Sequence, residues 1–325
     1  MSLDAERRAA LLGAKLGALV ASVAPGDRRP ATFPGGAALV DEGEAWVLLD
    51  AKPARGLGPS LAWCRAARAE RLHVVTESAA GSLARQASQF ADPPTVWKVE
   101  GRSLVPAEPE PVPPAPHIAP DVAAWADAFR AAGCIPLAEH GRLIGEVDGL
   151  EVARVSSGPN GPVLEIGVGR FDREAHALVS SGRPTNETLA EVVDLVRRQR
   201  RAEGAAHPLR RLARERWMRR RLVDQPELVG AELLAPVPSL VEQPDLDTAW
   251  PAVAAGLDER GGPVVVACSV DIDLDLVPFA ADARLADARG AELVLVLPPR
   301  DAHPVTRDLA ALLRAPARVV TLRPT

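Results

Sequence analysis

The stretch PVVVACSVDIDLDLVPFAADARLADARGAELVLVLPPRDAHPVTRDLAALLRAPARVVTLR, residues 263–323, decides the fold class. It contains three short, nearly continuous apolar runs, PVVVACS, ELVLVLP and RVVTLR, separated by segments of helical length at about 276–289 and 305–314. Strands that do not alternate apolar with polar residues are buried on both faces, which is the signature of parallel pairing. Parallel strands need crossovers, and the intervening helices supply them. The same order of strand, helix, strand, helix, strand runs from 46 to 101. The fold expected is therefore α/β, with two similar βαβαβ-type units flanking a central β-meander plus a long basic helix.

Residues 4–23 read as a helix, with Leu11, Leu12, Leu16, Leu19 and Val23 near helical spacing. VDEGEAWVLLDAK, residues 40–52, reads as a strand, a turn at Glu42-Gly43 and a second strand. That turn pairs Val40 with Ala45 and Asp41 with Glu44, and brings Asp50 opposite Gly35. In residue type, Asp41 followed by Asp50-Ala51-Lys52 resembles the PD-(D/E)XK nuclease superfamily. In that superfamily an Asp on one strand and an (Asp/Glu)-x-Lys on the next hold magnesium, and the lysine helps activate water. The resemblance implies a metal-dependent nuclease. The pairing opposes it, because Asp50 lies six residues along the strand from Asp41's partner, about 20 Å at roughly 3.3 Å per residue. Two carboxylates sharing one magnesium must each lie about 2.1 Å from it.

Residues 106–120, PAEPEPVPPAPHIAP, form a proline-rich linker of extended geometry. The boundaries that follow are an N-terminal α/β unit at 1–105, the linker at 106–120, a meander with an arginine-rich helix at 121–224, a connector at 225–247, and a C-terminal parallel α/β unit at 248–325. The middle segment opens with a helix, then three strands, GRLIGEV, LEVARVS and PVLEIGVGR. Asp148-Gly149 is a hairpin turn signal. It sets Glu146 directly opposite Glu151, a like-charge pair that invites a cation or an arginine, and the next turn sets Arg154 against Glu165. The last unit is expected to open with a helix at 248–260.

Two groups of residues carry chemistry. Between 197 and 221 eleven arginines face two glutamates, in a chain whose net charge is −5. Guanidinium forks suit phosphates, so Arg197, Arg198, Arg200, Arg201, Arg210, Arg211, Arg214 and Arg220, with Trp217 as a stacking platform, are candidate nucleic-acid contacts. The competing reading docks this helix on acidic surfaces of its own chain. The second group lies at the carboxyl edge of the last sheet, where α/β folds bind ligands. There Asp271 and Asp273 follow one strand, and Arg300, Asp301 and His303 follow the next. As a catalytic set they suit magnesium-assisted phosphoryl chemistry, with the aspartates as ligands, Arg300 as clamp and His303 as acid or base. Capping of helices by Asp275 and His303 is the structural alternative.

Cys64, Cys134 and Cys268 are widely spaced and suggest neither disulfides nor zinc. No run reaches the roughly 18 apolar residues of a membrane helix, and a cytoplasmic setting is expected. No glycine-rich phosphate loop, GxGxxG or GxSxG is present. The expected function is a non-catalytic interaction or regulatory protein without a cofactor, partnered by nucleic acid or an acidic protein surface. The alternatives are a phosphoester enzyme or diverged nuclease using magnesium, and a purely structural partner protein.

Overall fold

The structure, a computed structural model, describes residues 3–115, 117–169, 172–173, 186–201, 207–243, 246, 248–287 and 290–323. Among the described residues it is a mixed α/β fold with three sheets. By contact the chain groups into two compact units: Met1–Val112 with Asp273–Leu285 and Ala302–Arg318, and Pro113–Ile272 with Ala286–Asp301 and Val319–Thr325. The C-terminal segment thus contributes to both units.

In the first unit, α1 (Leu3–Ala21) precedes a six-stranded sheet ordered β1 (Arg29–Ala31), β2 (Gly36–Val40), β3 (Glu44–Leu49), β4 (Arg71–Thr76), β5 (Thr95–Glu100) and β6 (Ser103–Pro106). β3, β4 and β5 are parallel, and α2 (Leu57–Ala66) and α3 (Ala80–Ala87) connect them. Leu16, Leu19 and Val20 of α1 close one face against Trp46, Leu48 and Val75. β3 is buried along nearly its whole length, as its continuous apolar run requires.

The hairpin register reasoned from the sequence is the one observed. Val40 pairs with Ala45, and the Asp50 N–H donates to the Gly35 carbonyl at 3.1 Å. Asp41 and Asp50 therefore flank opposite ends of β3. The Asp50 carboxylate accepts from Arg8 Nε at 3.1 Å, and Lys52, at φ 51°, precedes a 3₁₀ turn over Pro53–Arg55. The nuclease-like pattern is thus dispersed along a strand and does not gather at one point.

The second unit opens with α4 (Pro120–Ala123) and α5 (Ala126–Ala131). An antiparallel meander follows, β7 (Ile135–Glu139), β8 (Arg142–Val147), β9 (Leu150–Gly158) and β10 (Gly161–Ile166). It has four strands where three were expected, because Pro136 masks β7 as an edge strand. α6 (Asn186–Arg201) packs Leu189, Val193 and Val196 on Val152, Phe129 and their neighbours. Asp148 at φ 47° and Gly149 at φ 77° form the tight turn, with Glu146 opposite Glu151 and Arg154 opposite Glu165.

α7 (Arg214–Asp224) leads into a five-stranded sheet ordered β11 (Ala231–Val237), β12 (Ala252–Asp258), β13 (Pro263–Cys268), β14 (Glu292–Leu297) and β15 (Arg318–Thr321). Residues 248–260 were expected to be helical but contain β12, and the 225–247 connector contains β11. Both pair antiparallel, so the last sheet is mixed and not wholly parallel. Alanine favours helix, but β12 finds partners for its backbone on both sides, and such pairing overrides a propensity of tenths of a kcal/mol. The connections after β13 and β14 are α8 (Leu276–Asp287) and α9 (Pro304–Ala311), which lie mostly or wholly in the first unit.

Candidate functional site

The site is built on α7. At helical spacing, Glu215, Met218, Arg219 and Leu222 are its buried residues, and Met218 and Leu222 pack on Leu234, Val264, Val266 and Val294 of the sheet. Arg216 and Arg219 turn toward the meander. Arg216 donates to Glu146 at 2.6 Å and to Glu139 at 2.9 Å, and Arg219 also donates to Glu146. Two guanidinium charges hold the Glu146 carboxyl down to about 2 against the opposing effect of its burial. Across the ladder, burial raises the Glu151 carboxyl, and Arg173 lies 3.1 Å from it. The like-charge pair read from the sequence is thus answered by arginines of this chain. Of the charged run FDREAH that follows β10, residues 171–176, only Asp172 and Arg173 fall within the described residues.

The other side of α7 carries Arg214, Trp217 and Arg221, at positions i, i+3 and i+7. They line a cleft of about 470 Å³ with Arg210, Met218, Val270, Pro298, Pro299, Arg300, Leu322 and Arg323. Val270 follows β13, Pro298 to Arg300 follow β14, and Leu322 and Arg323 follow β15. The cleft is therefore at the carboxyl edge of the sheet, where α/β folds place ligands. Five of its residues are arginines, and its wall between them is apolar.

Trp217 is held in place by arginines. The Arg200 guanidinium lies 4.5 Å from its ring centroid and that of Arg210 5.8 Å. Arg200 is fully buried, donates to the carbonyls of Leu209 and Leu212 at 2.8 and 3.1 Å, and is brought down to about 10 by burial. Arg221 donates to the Arg323 carbonyl at 2.8 Å.

The nucleic-acid candidates therefore separate. Arg210, Arg214 and Trp217 line the cleft. Arg198 and Arg211 are exposed. Arg197 donates to the Gly133 carbonyl at 2.6 Å, Arg200 is internal, and Arg220 pairs with Asp224 one turn on. The side chain of Arg201 lies outside the described residues. Arg221 and Arg323 were not anticipated; the 214, 217, 221 spacing would have pointed to the first, whereas only the sheet places the second.

The proposed catalytic set divides between the units. In the second, Asp271 pairs with Arg214 and lies 4.0 Å from Arg300, and its N–H donates to Asp301 at 3.0 Å. In the first, Asp273 pairs with Arg55 and accepts from the Asp275 N–H at 3.0 Å, and His303 caps α9 by accepting from the Val305 N–H at 3.3 Å. Of the two caps named as the structural alternative, His303 takes that place, whereas the Asp275 carboxylate accepts from the Gly58 N–H at 2.9 Å. Among the described residues no three His, Cys, Asp or Glu side chains form a group that could hold a metal ion. All three cysteines are buried, and burial raises the thiols of Cys134 and Cys268 to about 12. No described helix is long and apolar enough to cross a membrane. Comparison with protein-family models, with curated proteins and with solved structures returns no match for this chain.

Proposed function

We propose that this is a non-catalytic interaction or regulatory protein that engages single-stranded nucleic acid through the arginine cleft. The observation that carries the reading is the convergence of Arg210, Arg214, Arg221, Arg300 and Arg323 around Trp217 and an apolar wall. Guanidinium groups bind phosphate oxygens, and an indole with apolar neighbours suits a base or sugar. The cleft volume of about 470 Å³ falls in the roughly 300–1,000 Å³ range of small-ligand sites. That size suits one nucleotide unit at a time and not the groove of a duplex. Much of the basic segment has another task, since Arg216 and Arg219 are committed to Glu139 and Glu146.

The test is anisotropy of a labelled single-stranded octamer against the full-length protein at several salt concentrations. With the one or two phosphates that flank a single nucleotide unit engaged, log K should fall against log salt with a slope of about −0.7 to −1.4. Arg210→Ala with Arg214→Ala should weaken binding by about tenfold or more, since a hydrogen bond to a charged group contributes about 1.5–3 kcal/mol. Absence of binding at low salt, or an unchanged affinity in the double variant, overturns the reading.

A further inference from the structure

Asp271 occupies an unusual place for an acid, because it sits among the arginines of a cleft whose chemistry suits anions. Its backbone is in the left-handed region at φ 67°, and its N–H is anchored on the Asp301 carboxylate at 3.0 Å. So fixed, its carboxylate contacts Arg214 on one side and approaches Arg300 to 4.0 Å on the other. Both arginines line the cleft.

We infer that Asp271 is a built-in counterion, displaced by a terminal phosphate, so that the cleft selects phosphomonoester ends over internal phosphodiesters. The inference rests on the cleft being the binding site. Exposure shows that displacement is feasible. The Asp271 side chain is 56% exposed, so its ion pairs are solvent-screened, unlike the Glu146–Arg219 pair, in which each side chain is 3% exposed. Charge gives the selectivity. An internal phosphodiester carries one negative charge and two free oxygens, the same as the carboxylate it must replace, so the exchange gains little. A terminal phosphomonoester carries about −1.5 to −2 near neutral pH and three acceptor oxygens. It can bridge Arg214 and Arg300 where Asp271 now stands, with the attached nucleoside against Trp217. The end of a strand and a free mononucleotide share this chemistry.

The experiment compares 3′-labelled octamers carrying a 5′-phosphate or a 5′-hydroxyl, with unlabelled nucleoside monophosphate and inorganic phosphate as competitors. The phosphorylated octamer should bind about tenfold tighter, from added charge-assisted bonds. Arg214→Gln should abolish that preference. Asp271→Asn removes the competing charge and keeps a residue that tolerates the left-handed backbone, so it should tighten binding about three- to fivefold. Equal affinity for the two octamers with no effect of Asp271→Asn overturns the inference and leaves strand binding intact. Binding of the mononucleotide but of neither octamer supports the terminal-phosphate chemistry and overturns the strand reading. Binding of no octamer, mononucleotide or inorganic phosphate overturns both.

Discussion

Replacing Glu146 with Gln tests the ion network that fastens α7 to the meander. Glu146 is 2% exposed on β8 and receives Arg216 at 2.6 Å together with Arg219. Neutralising it leaves two buried guanidinium groups short of charge, although Arg216 keeps Glu139 at 2.9 Å. Breaking one partner out of a buried pair costs about 3–5 kcal/mol. The carboxyl sits at about 2 in place of its ordinary 4.5, and at roughly 1.4 kcal/mol per pH unit that is about 3 kcal/mol of stabilisation. Because this pKa is depressed, the contribution is present above about pH 4.5 and is lost as pH falls toward 2. Urea unfolding at pH 7, followed by far-UV circular dichroism and by hydrogen exchange of β8 and β9, should show the loss directly. With a urea dependence of about 1–3 kcal/mol per molar, the midpoint of the second unit should fall by about 1–3 M. Adding Arg219→Met should recover part of the loss, since the stranded charge is then removed. A cost below about 1 kcal/mol, or purely additive costs in the double variant, would refute the reasoning.

Two further outcomes follow from the geometry. Gly149 has φ +77°, and a Cβ there would lie 2.3 Å from the Arg216 backbone carbon; Gly149→Ala should therefore cost about 2–4 kcal/mol, and a thermal unfolding temperature equal to wild type would contradict the close approach. Asp275, in the first unit, accepts from the Gly58 N–H at 2.9 Å, and burial, with Asp273 beside it, pushes its carboxyl up to about 7. A raised acid stabilises most below its unfolded value, so stability should decline by up to about 4 kcal/mol as pH rises from 4 to 7. Asp275→Asn should flatten that profile, and an unchanged pH dependence in the variant would sink the assignment.

Where the chemistry was local, the sequence was legible. The hairpin registers at Glu42-Gly43 and Asp148-Gly149 are fixed by turn type and by side-chain alternation, so the pairings of Val40 with Ala45 and Glu146 with Glu151 could be worked out without coordinates. The same register dispersed Asp41 and Asp50. Residues 252–258 were misread because their alanines carry a weak preference, whereas strand pairing depends on segments distant in sequence. The division of 273–318 between two compact units was equally hidden, since a crossover helix reads the same whichever neighbour it packs on.

By itself, the amino-acid sequence determined the α/β class, the turns, the basic segment and the sheet edge as two separate places of interest. The tertiary structure alone decided which arginines are engaged inside the fold and which line a cleft. Arg216 and Arg219 meet Glu146 because β8 passes one side of α7, while Arg214 and Trp217 look onto Val270 and Arg300 because β13 and β14 end on the other. A run of like residues does not encode that partition. It is set by which face of the helix lies on the sheet, and that face follows from burying Met218 and Leu222.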